Sequence, residues 1–169
     1  MTIDYANSGL TIQQAIVQEA KRIGKGEGRG SVLWQGLRVQ AFCWMEIPSD
    51  GEVKIELVRY KRDDWIGIDL RFEGGGVKGQ HGWINRLRTW ASSDFDDSVS
   101  YQYTSLGRVS VSIVSKVRFP NGRSSVESLT GNSAFYFERL GSEIVGHASH
   151  AQSVPPDFDF LEFRLKFIA

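Results

Sequence analysis

Apolar and polar residues change their period several times along this chain, and each change marks an element. Between Thr11 and Ile23 the apolar residues Ile12, Ile16, Ala20 and Ile23 recur at helical spacing. Gln13, Gln14, Gln18, Lys21 and Arg22 fall largely on the other side. Thr11 supplies an N-cap and Gly24 a stop, so the spacing predicts a helix over 11–23. From Val32 the period becomes two. Leu33, Leu37, Val39, Ala41, Cys43, Met45 and Ile47 then share one face of a single extended segment ending at Pro48. Val53, Ile55 and Leu57 form a second strand, and Ile66, Ile68, Leu70 and Phe72 a third. Short turns between these three predict an antiparallel meander, since parallel neighbours need long crossovers.

Gly74-Gly75-Gly76 breaks the alternation, and the glycine-rich stretch reads as a flexible connection into a second helix. Trp83, Ile84, Leu87, Trp90 and Ala91 fit one face of that helix. Alternation returns at Val109, Val111, Ile113, Val117 and Phe119, with Arg108, Ser110, Ser112, Lys116 and Arg118 on the other side. Phe135 and Phe137 begin a hairpin that turns at Leu140-Gly141-Ser142 and directs Ile144, Gly146 and Ala148 inward. Leu161, Phe163, Leu165 and Phe167 make a last strand. The fold class expected is α+β: a curved antiparallel sheet of about seven to eight strands with two helices, left open or closed as a barrel. Residues 1–10 form a polar lead-in to one domain over 11–169.

Composition narrows the function classes. The 169 residues carry 20 Lys+Arg against 20 Asp+Glu, so no bulk charge points to nucleic acid or an anionic membrane. No run of about 18 apolar residues is present to span a membrane as a helix. Cys43 is the only cysteine, which excludes an intrachain disulfide and a multi-cysteine zinc site. With no signal-like N-terminus, the expected location is the cytoplasm.

Candidate chemistry is sparse. His147 and His150 stand three apart at a strand end, where that spacing points them to opposite faces, and His81 is remote. Asp94, Asp96, Asp97 and Ser98 lack the glycine turn and distal glutamate of a calcium loop. The glycine segments match no phosphate-binding fingerprint. Cys43 sits in an apolar row, as an inert core thiol would. The basic, hydroxyl-bearing side of 108–118 lacks the aromatics that a base-stacking sheet needs. No catalytic residue, metal site or cofactor is therefore expected.

The anomaly is the first extended segment, whose second face carries Trp34, Arg38, Gln40, Phe42 and Trp44. Covered by a helix, these residues are core; left open, they form a stripe of roughly 30 Å that binds a partner. Trp34, Arg38, Phe42 and Trp44 are accordingly the candidate binding residues. The function expected is a non-enzymatic binding protein of the interaction, assembly or inhibitor/immunity type, with another protein as partner. Nucleic acid is not expected, and a homo-oligomer is compatible with the composition. The alternatives are a barrel enclosing a small apolar ligand, in which Leu33, Val39, Ile55, Ile68, Val111 and Phe163 would line a cavity, and an enzyme whose site gathers residues such as His81, His147, Asp94 and Glu143.

Overall fold

The computed structural model describes residues 1–24, 30–94 and 98–169. Within them the chain forms one helix, α1 (Ile12–Ile23), and fourteen strands. The strands are β1 (Ser31–Trp34), β2 (Leu37–Gln40), β3 (Phe42–Glu46), β4 (Asp50–Tyr60), β5 (Ile66–Phe72), β6 (Gly76–Gly79), β7 (Gly82–Ile84), β8 (Arg86–Trp90), β9 (Ser98–Thr104), β10 (Arg108–Arg118), β11 (Ser124–Ser128), β12 (Ala134–Leu140), β13 (Glu143–Ser149) and β14 (Leu161–Ile168). They make two sheets with antiparallel neighbours throughout. The larger has nine strands in the order β1-β2-β12-β13-β14-β4-β9-β6-β7. The smaller has the order β11-β10-β5-β8, with β3 also paired to β10. β10 is long enough to hold β3 along Arg108–Ser112 and β11 along Val114–Arg118, with β5 on its other edge.

The inner faces of the two sheets pack on each other. Val53, Ile55, Phe163 and Leu165 come from the large sheet, and Ile68, Leu70, Val109 and Val111 from the small one. Each is fully buried, which stabilises the fold by roughly 1.5–3 kcal/mol per large aliphatic or aromatic side chain. A second core joins Ile12, Ala15 and Ile16 of α1 to Tyr5, Val32, Trp34, Val39 and Ala134.

The helix forms where the spacing places it. Thr11 Oγ1 accepts the Gln14 N–H at 3.2 Å, and Gln14 Oε1 accepts the Thr11 N–H at 2.9 Å, a reciprocal capping box. Lys21 and Arg22 complement the C-terminal end of the dipole, and Gly24 leaves the helix at φ 74°. Inside, Glu19 accepts from the Tyr5 hydroxyl and from Arg22, whose guanidinium holds the carboxyl below its usual range.

Several expectations are corrected. The stretch 83–91 is β7 and β8, not a second helix. Leu87, Thr89 and Ala91 are buried at period two while Arg86 is exposed and Arg88 half-buried, an alternation that the tryptophans masked. The glycine-rich stretch before it is a turn at Gly74 that leads into β6 from Gly76, not a flexible connection. A Cβ on Gly75 or Gly76 would lie 2.0 Å from the Thr104 carbonyl oxygen or 2.1 Å from that of Ile84. The segment 33–47 is three strands, because Gln35 (φ 49°) and Gly36 (φ 77°) form a two-residue hairpin turn, and Ala41 then carries the chain into the other sheet. β4 and β5 likewise belong to different sheets and make no meander. Neither sheet closes into a barrel, and the strands outnumber the expected seven to eight. Val39 fills the second core, and Ile55, Ile68, Val111 and Phe163 fill the first.

Among the described residues no helix is long and apolar enough to cross a membrane.

Candidate functional site

The outer face of the small sheet collects the side chains that the cores leave over. Register fixes two cross-strand rows. Trp44 of β3 lies opposite Ser110 of β10, which lies opposite Arg71 of β5, which lies opposite Arg86 of β8. The next row is Phe42, Ser112, Asp69 and Arg88. Neighbouring strands are about 4.8 Å apart, so each row spans roughly 14 Å. Ser128 and Leu129, at the end of β11, wall the face on one side and complete a depression of about 270 Å³.

Charge on this face is unevenly matched. Asp69, almost fully buried, takes Arg88 in a two-point ion pair, with Nε to Oδ1 at 2.7 Å and Nη2 to Oδ2 at 2.8 Å. Arg108 holds Glu73 at 2.6 Å and lays its guanidinium 4.7 Å from the centre of the Trp44 ring. Arg71 and Arg86 are exposed, directly opposite each other, and form no ion pair among the described residues. Phe42 and Trp44 keep 42% and 43% of their surface exposed, which makes them the aromatic handles of the face.

The four sequence-derived candidates do not form one stripe. Phe42 and Trp44 stand together on the small sheet. Trp34 is buried beneath α1 in the second core. Arg38 is exposed on β2, close enough for its charge to favour the Glu19 carboxylate. Arg71, Arg86 and the serines join the aromatics instead. The outer side of β10, which on its own has no aromatic, receives Phe42 and Trp44 from β3. The alternation of Arg86 and Arg88 against Leu87 and Thr89 is the local signal that places β8 here.

Other groups prove to be partnered. His150 is almost fully buried, between the rings of Trp65 and Phe160. Its Nδ1 accepts the Gln152 N–H at 3.0 Å, so its Nε2–H donates to the Lys116 carbonyl at 2.9 Å. Both nitrogens are occupied within the fold, beside a depression of about 340 Å³ lined by Lys61, Arg62 and Trp65. His147 stacks on Tyr136 and faces Glu138 at 3.1 Å and Glu162 at 3.8 Å. Glu143 pairs with Arg164 at 3.8 Å. No ion pair or hydrogen bond joins any two of His81, His147, Asp94 and Glu143 among the described residues. Burial raises the pKa of the Cys43 thiol, the opposite of what a nucleophile needs. No group of three metal-ligating side chains occurs among the described residues; Asp96, Asp97 and the glycine loop 25–29 lie outside them.

Burial lowers the pKa of His150 below its usual 6.5, and this has a measurable consequence. The unfolded chain takes up the proton first, so stability is full above pH about 6.5 and falls as the pH drops through that value. Urea midpoints measured from pH 7.5 to 5.5 should decline in the native chain and decline less in His150→Gln. Equal slopes in the two proteins would contradict the assignment.

Comparison with protein-family models, with curated proteins and with solved structures finds no match to this chain.

Proposed function

We propose that this chain is a non-enzymatic binding protein that docks another protein on the outer face of its small sheet. One observation carries the reading: β3 sets two half-exposed aromatics beside two exposed arginines, Arg71 and Arg86, that have no ion-pair partner among the described residues. Desolvated Trp and Arg dominate the energy of protein interfaces, and truncating one at an interface costs roughly 2 kcal/mol or more. The cores are filled by their own side chains, which supports a surface function over an enclosed one. We place the protein in the cytoplasm, where an unpaired thiol such as Cys43 stays reduced.

Affinity capture with paired variants tests the reading. A protein retained by the native chain should also be retained by Ser100→Ala, an exposed change on β9 of the other sheet, and be lost with Trp44→Ala. Retention by Trp44→Ala would move the docking surface elsewhere.

A further inference from the structure

We propose that the occupant of this face is an acidic segment of a partner protein, with one carboxylate held jointly by Arg71 and Arg86 and an adjacent apolar side chain set against Phe42 and Trp44. The proposal rests on the docking reading above and adds the chemistry of the partner.

The argument is charge complementarity. Like charges directly opposite on neighbouring strands destabilise a sheet. Arg88 and Arg108 avoid that cost through Asp69 and Glu73. Arg71 and Arg86 have no such relief among the described residues, although they form a directly opposed pair. Arg71 and Arg86 are directly opposed and both line the depression, so their guanidiniums offer N–H donors to a carboxylate placed there. The depression they line together with Phe42 and Trp44 is small, about 270 Å³, a size suited to the side chains of a short segment. Its polar rim of Ser110, Ser112 and Ser128 can donate further hydrogen bonds to the same segment.

A nucleic acid fits these residues less well. Arg108 already covers one side of the Trp44 ring, which removes a stacking surface. The next exposed cations on β10, Lys116 and Arg118, begin roughly 20 Å further along the strand, past the buried Val114. That leaves a point site, not a continuous cationic track.

Fluorescence anisotropy with three labelled probes decides the matter. The first is a twelve-residue peptide of Glu and Leu interspersed with Gly and Ser. The second replaces each Glu by Lys, and the third is a twelve-nucleotide oligothymidylate. The native chain should bind the Glu peptide at least ten-fold more tightly than either other probe, and more weakly at high salt. Arg71→Ala/Arg86→Ala should lose at least ten-fold for the Glu peptide, with Ser100→Ala unchanged and all three proteins equally folded by thermal melting. Equal or tighter binding of the oligothymidylate, absence of Glu-peptide binding, or indifference to the double substitution would each overturn the proposal. The docking reading is tested separately: a captured protein that depends on Trp44 but not on the two arginines leaves that reading standing and removes only the acidic partner.

Discussion

Replacing Trp34 by alanine is expected to cost about 3–5 kcal/mol of stability, whereas the same truncation at Trp44 costs about 1 kcal/mol or less. Ten residues separate the two tryptophans, and an unbroken strand would point them the same way. The turn at Gln35–Gly36 and the bend at Ala41 send them to different places. Trp34 fills the second core with Ile12, Ile16 and Val39, and its removal opens a cavity beneath α1. Trp44 keeps solvent on one side and loses chiefly its contact with Arg108. Urea denaturation of the two single variants is the measurement. A larger loss at Trp44 than at Trp34 would reverse the assignment of core and docking surface.

Gly146→Ala is expected to destabilise the protein by about 3 kcal/mol, a large effect for one added methyl group. Gly146 lies opposite Phe163 in the pairing of β13 with β14. The Phe163 ring lies across the glycine, so that an added Cβ would stand 2.1–2.6 Å from three of its carbons. The ring is fully buried and has no free space into which to retreat. Adding Phe163→Leu, which removes the clashing end of the ring, should return part of the loss. The double variant should therefore be less destabilised than the sum of the singles. Strict additivity in thermal or urea unfolding would show that the ring and the glycine do not press on each other.

The elements legible in the sequence are those whose burial has one clear period. α1 is bounded by Thr11 and Gly24 as the caps require, and β4, β10 and the β12–β13–β14 run follow their alternating residues. The stretch 83–91 was not legible, because Trp83, Ile84, Leu87 and Trp90 satisfy helical spacing while only Leu87, Thr89 and Ala91 are buried. Sheet membership was not legible either. Nothing local distinguishes Val39, which faces the second core, from Met45, which faces the first. Half of the site was visible as aromatics at positions 42 and 44. Their partners Arg71 and Arg86 come from strands whose proximity exists only once β10 lies between them.

The switch at Ala41 also bears on how fast the chain can reach this arrangement. Gln40 must find Phe135 in one sheet, while Phe42, two residues later, must find Ser112 in the other. Both sheets draw strands from the early and the late parts of the sequence, so neither is completed by neighbours alone. Large loops therefore close, at an entropic cost, before their contacts return any energy. Refolding belongs with the slow, non-local β-topologies, in milliseconds to seconds, and until β10 arrives the edges of β3 and β5 stay open to other chains.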